Sequence, residues 1–423
     1  MFIPFTIGLY YIYITSWTLG FSIFSLLGTY DGLATRQAMG AFLGAYQGVL
    51  HNQYFGSVAT AYLSYLLTLA FTWFVLLGGV AKGIERLAKT AIPLLFVLGA
   101  LLVARVLSFG TPDVAHPDWN VSNGLGFVWN PDFSQLSNAS IWMAAAGQIF
   151  FTLSIGWGII HTYVSYLRED DDIALTGMST VGVNEFAEVI LGGTIALTAA
   201  VAFFGVDGTR EIAHGGAFDL GFQAMPVIFQ RVPAGNLIGA VWFLLLFFAG
   251  ITSAVAMAQP MIALLEEGWN VTRTRAVSLV CGGMFVAVQP VIFFQSYGFL
   301  DELDYWVGAV ALVVFALLEI LIFAWIFGID RGWDEINRGA AVRPPAMFKP
   351  VIKYVTPAFL AVILGWWLVT EVPGKLMMEG VSAQARPYVI GARVMMLAIL
   401  ALVWTLVAQA SRAWRRPPGG SLR

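Results

Sequence analysis

Ten uninterrupted apolar segments constrain this chain more than any other feature of its sequence. They lie near residues 2–27, 57–79, 87–108, 141–167, 173–205, 235–264, 274–297, 304–328, 350–371 and 387–412. An α-helix needs about 20 apolar residues to cross a bilayer, and its own hydrogen bonds must satisfy its backbone there. The apolar residues are continuous rather than alternating, as membrane helices require. The pattern therefore predicts an all-α polytopic membrane protein with ten transmembrane helices.

Charged side chains are scarce, and this decides which classes of protein remain open. Of the 423 residues, 59% are hydrophobic and 11% are charged, whereas a soluble domain carries about a quarter charged residues. The net charge of −3 gives no support to a nucleic-acid partner. The sequence has no nucleophile–base pair, no glycine-rich phosphate loop and no spacing of metal ligands. Its one cysteine, Cys281, cannot form an internal disulfide. We therefore predict that the protein is not an enzyme.

The basic residues between the apolar segments predict the orientation of the chain. Most of the 22 lysines and arginines lie in the even-numbered loops or after the last segment, among them Lys82, Arg86, Arg273 and Arg331. Loops rich in Lys and Arg face the cytoplasm. With ten spans, both termini are then expected in the cytoplasm, including a basic tail at residues 413–423.

A break is predicted in the fourth segment, at residues 148–158. Gly147, Gly156 and Gly158 surround a polar Thr152–x–Ser154 centre, and each glycine weakens a helix by about 1 kcal/mol relative to alanine. A break inside a membrane frees backbone groups that are tolerated only where they face a cavity or a ligand. The freed carbonyls could hold a cation and the freed amides a carboxylate. The alternative is an unbroken helix that uses small residues to pack closely.

Adjacent hydroxyl groups mark a second candidate site in the sixth segment. Thr252 and Ser253 follow Ala249 and Gly250, and hydroxyl and carbonyl oxygens suit a hard cation such as sodium. In the alternative, both hydroxyls bond back to the preceding turn of their own helix.

Three polar residues stand out in the fifth segment, and one in the eighth. Asn184, Glu185 and Glu188 lie within an apolar run, where each charge costs roughly 2.5–3.5 kcal/mol on insertion scales, so a function is expected for them. Glu319 is another acid within a span, and we predict that it serves as a bonding partner for a neighbouring helix.

The glycine-flanked break, the polar residues of the fifth segment and the adjacent hydroxyls of the sixth occur together, and in this order, in one known family. The chain resembles the neurotransmitter:sodium symporters, in particular those built like the bacterial leucine transporter, at residues 10–21, 82–86, 147–154, 184–193 and 247–261. The resemblance implies a leucine-transporter-like inverted-repeat fold in a bacterial cytoplasmic (inner) membrane. It also implies sodium-coupled import of a small apolar amino acid by alternating access. The implied partners are the amino acid, sodium ions and the lipid bilayer, and the likeness is compatible with a homodimer.

The resemblance assigns roles to individual residues. The implied substrate contacts are Ile7, Tyr11, Phe151, Thr152, Ser154, Trp157, Ser253 and Met257. The implied sodium ligands are Thr152 and Asn184 for one ion, and Ala249, Thr252 and Ser253 for a second. Asp304 matches the acid of the outer gate and Glu267 that of the inner gate. Glu188 stands where chloride-dependent relatives bind chloride, which implies chloride-independent transport.

The family has twelve spans, and this chain matches the last ten, so the fold is expected to be N-terminally truncated. Residues 1–108 would be the remainder of the first inverted repeat, residues 141–328 the second repeat, and residues 350–412 two additional helices. The first family helix supplies ligands to both sodium sites, so we expect the functional protein to have two further spans ahead of Met1. The alternatives are an inert truncated fragment, a sensor that binds the amino acid without transport, and a channel.

Overall fold

The structure is a computed structural model that describes residues 1–137 and 139–414. The predicted basic tail lies outside these residues from position 415 onward. Helices account for nearly all of the regular structure, and no β-strand is found in the two described stretches. This confirms the predicted all-α class.

Fourteen helices are labelled here. They are α1 (Phe2–Leu26), α2 (Arg36–Tyr46), α3 (Ala59–Leu77), α4 (Val80–Leu107), α5 (Val121–Trp129), α6 (Ala139–Thr152), α7 (Ile159–Val164), α8 (Ile173–His214), α9 (Met225–Gln230), α10 (Gly235–Trp269), α11 (Arg273–Phe293), α12 (Phe299–Ile336), α13 (Phe348–Thr370) and α14 (Arg386–Trp414). Shorter helical turns cover Phe133–Ser137, Gly216–Phe218, Gln295–Tyr297 and Val372–Leu376. Stretches of π-helix cover Val80–Ile84, Phe186–Gly193, Asp219–Ala224, Asp304–Ala311, Ile322–Gly328 and Val351–Val355.

Nine helices in the described part of the chain are long and apolar enough to cross a membrane, against ten predicted spans. The difference lies in the fourth segment. Instead of one helix over residues 141–167, the chain forms α6 and α7, each shorter than a membrane span. The other nine segments correspond to α1, α3, α4, α8, α10, α11, α12, α13 and α14. The chain is thus a multi-pass membrane protein whose fourth segment is interrupted, as the sequence predicted.

The chain divides into two compact units. The first contains Met1–Tyr10, Gln135–Asn184 and the chain from Ala256 onward; the second contains Tyr11–Ser134 and Glu185–Val255. These units are defined by contacts within each of them, whereas the predicted repeats are defined by symmetry. The division into residues 1–108, 141–328 and 350–412 therefore stays a prediction.

The second unit is held together largely by aromatic rings. Phe21 in α1 makes edge-on contacts with Phe42 and Tyr46 of α2, at 5.7 and 5.9 Å between ring centroids, and with Phe222 at 5.0 Å. Such edge-to-face pairs contribute about 1 kcal/mol each beyond the area that they bury. The helix α5 packs on α8, where a β-carbon on Gly124 would lie 2.7 Å from the carbonyl oxygen of Thr198.

The first unit has an aliphatic core beside the interrupted segment. Val313 and Ala316 of α12 and Leu360 of α13 form its buried centre. Phe150 at the end of α6 and Ile155 just after it pack against this centre. The core therefore holds the end of α6 and the interruption itself against α12.

Candidate ion and substrate site

The interruption between α6 and α7 is a tight run of left-handed residues. The helix α6 ends at Thr152 and α7 begins at Ile159. Between them Ser154, Gly156 and Gly158 have positive φ angles of 55°, 79° and 75°. The predicted break began at residue 148, but the helix continues to Thr152, so the break is shorter than the sequence suggested. Glycine accepts positive φ freely, whereas Ser154 adopts it at a cost in strain.

Gly156 brings the break into direct contact with α12. A β-carbon at this position would lie 2.6 Å from the carbonyl oxygen of Leu312, so no larger residue fits there. Two turns further along α12, the Glu319 carboxylate accepts a hydrogen bond from the Gly156 backbone N–H. His161 of α7 places its Nδ1 atom 3.7 Å from Glu319. The predicted role of Glu319 as a bonding partner is thus confirmed in geometry, and its partner is the backbone of the break.

Thr152 and Asn184, the two ligands expected for one sodium ion, are in contact. The Thr152 hydroxyl donates a hydrogen bond to Oδ1 of Asn184 over 3.1 Å, and both side chains are half-buried. Backbone N–H groups in or next to the break bond the carbonyls of residues 149, 150 and 151. Hydroxyl and amide oxygens therefore meet beside a helix end, where partial negative charge favours a cation.

Ala249, Thr252 and Ser253, expected to bind a second ion, lie on one face of α10. The Thr252 hydroxyl donates to the Ala249 carbonyl over 2.9 Å, and the Ser253 hydroxyl approaches the same oxygen at 3.4 Å. This is the back-bonding that the alternative reading predicted. Each hydroxyl oxygen still has lone pairs, because only its proton is used in such a bond. The side chain of Ser253 is also hydrogen-bonded to that of Tyr11.

The other expected substrate residues differ in exposure. Ile7 and Met257 are buried in the first unit, next to Gly8 of α1. Trp157 is 2% exposed, and its ring lies edge-on to that of Phe151, which is 39% exposed, at 5.4 Å. The Trp157 Nε1 atom has no hydrogen-bond acceptor in the described part of the chain. Ser154 is half-buried in the break itself.

The α6 half of the interrupted segment borders a cavity of about 470 Å³. The lining comes from α6, α12 and α13 and includes Gln148, Phe151, Gly308 and Trp367. Of the expected substrate contacts, Phe151 lines this cavity.

The expected gate and chloride residues are on three different helices. The hydroxyl of Tyr10 in α1 donates to Oδ1 of Asp304 in α12 over 2.7 Å. Glu188 is half-buried in the π-helical stretch Phe186–Gly193 of α8. Glu267 is exposed near the end of α10.

Sequence reasoning missed a polar network next to Glu267. Arg273 contacts Glu266 at 2.9 Å and Oε1 of Gln259 at 3.0 Å, and Nε2 of Gln259 donates to the Tyr166 hydroxyl over 3.1 Å. Gln259 is fully buried. A buried amide in an apolar segment, next to Pro260, is the signal that would have found it.

The chain has many membrane-spanning helices, and one predicted span is broken beside the hydroxyl oxygen of Thr152 and the amide oxygen of Asn184. This is the architecture of a secondary transporter. The model of the Sodium:neurotransmitter symporter family matches residues 44–412. The chain therefore belongs to this family.

Individual relatives agree with this assignment. An uncharacterized sodium-dependent transporter of Methanocaldococcus jannaschii is 30% identical over 301 residues, covering 69% of this chain and 57% of the relative. The sodium-dependent nutrient amino acid transporter 1 of Drosophila melanogaster is 26% identical over 328 residues, covering 74% of this chain and 48% of the relative. This chain thus spans about half the length of the curated relatives that it matches.

The fold also matches a solved structure, that of MhsT in complex with L-phenylalanine. The TM-score is 0.69 at 23% identity, and the match covers 85% of this chain and 78% of the MhsT chain. The leucine-transporter-like fold class is therefore confirmed.

Proposed function

We propose that the chain acts in a sodium-coupled symporter that imports a small, apolar amino acid by alternating access. The observation that carries this proposal is the contact between Thr152 and Asn184 beside the break after α6. Two side chains with oxygen atoms meet at the point where the backbone hydrogen bonds of α6 end. An ion site inside a membrane requires such a group of oxygen atoms. The family, whose relatives are sodium-dependent transporters, supports the same ion.

Each sodium site draws its proposed ligands from one compact unit. Thr152 and Asn184 would bind one ion in the first unit. The Ala249 carbonyl and the hydroxyls of Thr252 and Ser253 would bind another in the second unit. For the second ion, the two hydroxyls would turn their protons away from the Ala249 carbonyl and release that oxygen for the ion.

The substrate residues define what kind of amino acid fits. Within the first unit, Ile7, Met257 and Trp157 are buried apolar residues, and Ser154 offers a polar group for a charged end of the molecule. Trp157 is bulky and buried, so it limits the space for the side chain and favours a small or flat apolar substrate.

The energy that sodium supplies is sufficient for such transport. One charge that moves through 100 mV releases about 2.3 kcal/mol. Hundredfold accumulation of substrate costs about 2.7 kcal/mol, at roughly 1.4 kcal/mol per decade. One ion nearly meets this cost by voltage alone, and two ions exceed it. We propose a bacterial inner membrane as the location, with both termini in the cytoplasm.

Uptake into vesicles tests this function. Proteoliposomes that contain the chain are expected to accumulate radiolabelled apolar amino acids when sodium is outside, and not when potassium replaces it. Saturable binding without uptake would instead favour a sensor, and ion flux without dependence on substrate would favour a channel. Absence of both binding and uptake would favour the inert fragment.

Chloride dependence is a separate prediction, based on Glu188. Its carboxylate supplies a fixed negative charge within the membrane, so uptake is expected to be the same in chloride and in gluconate buffers. The variant E188Q removes this charge and should lower uptake in gluconate roughly tenfold, which corresponds to about 1.4 kcal/mol. Added chloride should restore the uptake of this variant.

Glu185 offers the matched control, since it is half-buried on the same helix one turn earlier. E185Q is expected to leave uptake insensitive to chloride. Strong loss of uptake by the unmodified chain in gluconate would refute the proposed role of Glu188.

A further inference from the structure

The apolar part of α12 ends at a sharp turn. Gly328 has φ and ψ angles of 98° and 124°, a combination that is open to glycine. The polar helix Ile329–Ile336 starts directly after it, and α13 begins nearby in sequence at Phe348. Two membrane-spanning helices therefore end at this point, on the side of the molecule where the basic loops lie.

A pocket of about 420 Å³ opens between these two helix ends. Its lining comprises Ala324, Trp325, Gly328, Ile329, Asp330, Arg331 and Lys353, and we refer to it as the basic pocket. The Trp325 Nε1 atom donates a hydrogen bond of 2.8 Å to the Lys353 carbonyl. This bond joins the two helices across the pocket, so its walls are in place without a ligand.

The charges of the basic pocket do not cancel. Asp330 is neutralised by Lys349, whose Nζ atom lies 3.0 Å from its carboxylate. Arg331 and Lys353 instead lie over the rings of Phe327 and Tyr354, at 5.0 and 5.4 Å. Neither of these two cations takes part in any of the ion pairs found within residues 1–137 and 139–414.

The nearby acids are already engaged or lie outside the lining. Glu335 pairs with Arg338 at 2.8 Å, and Asp334 is exposed on the next turn without reaching the pocket. The pocket therefore presents two positive groups with no acid to neutralise them, a setting that attracts an anion.

The rim of the basic pocket is apolar and exposed. Trp325, Ile326, Tyr354 and Val355 all have most of their surface uncovered. Trp and Tyr side chains are typical of the boundary between lipid headgroups and acyl chains. A charged pocket with such a rim suits a molecule that has an anionic head and hydrocarbon tails.

We propose that the basic pocket binds the headgroup of an anionic phospholipid. The headgroup phosphate lies between Arg331 and Lys353, and the acyl chains follow the exposed surfaces of α12 and α13 below it. Basic pockets between membrane helices on the cytoplasmic side recognise anionic headgroups in this way, and each Lys or Arg near the membrane surface contributes about 1 kcal/mol.

Retention of lipids by the purified protein tests this site. The protein is exchanged into detergent that contains equal amounts of phosphatidylglycerol and phosphatidylcholine, and bound lipids are counted by native mass spectrometry. The unmodified chain is expected to retain phosphatidylglycerol in preference. In the double variant R331Q/K353Q this preference is expected to fall roughly tenfold or more, because both cations are lost.

The double variant R338Q/R343Q is the matched control, because it removes two exposed cations of the same loop that do not line the pocket. It is expected to retain the preference. Equal loss in both double variants, or no loss in R331Q/K353Q, would overturn the proposal. Displacement of the bound lipid by soluble glycerol phosphate would also overturn it, since the pocket would then be a site for free phosphate.

Discussion

Replacing Asn184 with alanine is expected to abolish sodium-dependent uptake by this chain. The change removes Oδ1, which meets the Thr152 hydroxyl at 3.1 Å beside the helix break. Bonds from neutral groups to a charged partner contribute about 3 kcal/mol at most, so the affinity for sodium should fall roughly a hundredfold. Sodium-concentration series of substrate binding in detergent measure this affinity directly.

Two comparisons separate the loss of a ligand from general damage. Thr180 lies on the same helix with its hydroxyl bonded to the Thr176 carbonyl, away from the break, so T180V is expected to leave sodium affinity unchanged. At position 152, T152S keeps the hydroxyl and should retain most of the affinity, whereas T152V should lower it about as much as N184A. Normal sodium dependence in N184A would show that the first ion site lies elsewhere.

Among the ion pairs of the described residues, the pair of Arg393 and Glu302 is the one whose loss is expected to lower the stability of the protein most. Glu302 is 7% exposed, and its Oε1 atom accepts hydrogen bonds of 2.6 Å from both Arg393 and the Trp306 indole. Arg393 also donates to the carbonyls of Lys375 and Leu376. The Arg393 side chain of α14 thus contacts both the helical turn Val372–Leu376 and the first turn of α12, where Glu302 lies.

The variant R393M would leave the buried Glu302 carboxylate without its cation. Removing one partner of a buried pair destabilises a protein by about 3 kcal/mol or more. Cys281 provides the measurement, because it is the single cysteine of the sequence and is buried in α11. Its reaction with a fluorescent maleimide during heating reports unfolding, which should occur at a clearly lower temperature in R393M.

The exposed pair of Arg338 and Glu335 supplies the control, since such pairs contribute at most about 1 kcal/mol. R338M is therefore expected to unfold almost as the unmodified chain does. The double variant E302Q/R393M should recover part of the loss, because no charge is left unpaired. Unfolding of R393M at the same temperature as R338M would contradict a stabilising role for the buried pair.

Much of the membrane topology and the existence of the helix break could be read from local sequence. A continuous apolar run has one way to satisfy its backbone in lipid, so nine of the ten predicted segments appear as long helices. The glycines around Thr152 and Ser154 marked the interrupted segment for the same reason. The exact start of the break was wrong by several residues, because Gly147 fits inside a helix when neighbouring residues continue it.

Contacts between distant parts of the chain were beyond this kind of reasoning. The sequence predicted that Glu319 bonds to a neighbouring helix. That its partner is the Gly156 backbone depends on the close approach of the break to Leu312, which the sequence does not show. The pairing of Arg393 with Glu302 joins residues 91 positions apart, and nothing in either local sequence marks it.

The sequence by itself determined that the chain is a bundle of membrane helices with one of them broken, since these properties depend on the hydrophobicity and flexibility of neighbouring residues. Only the tertiary structure decided which polar atoms meet. The Thr152–Asn184 contact, the Tyr10–Asp304 bond and the position of Arg331 and Lys353 in the basic pocket all depend on how helices pack. Packing is set by the fit of many side chains at once, and so it cannot be read from any single segment.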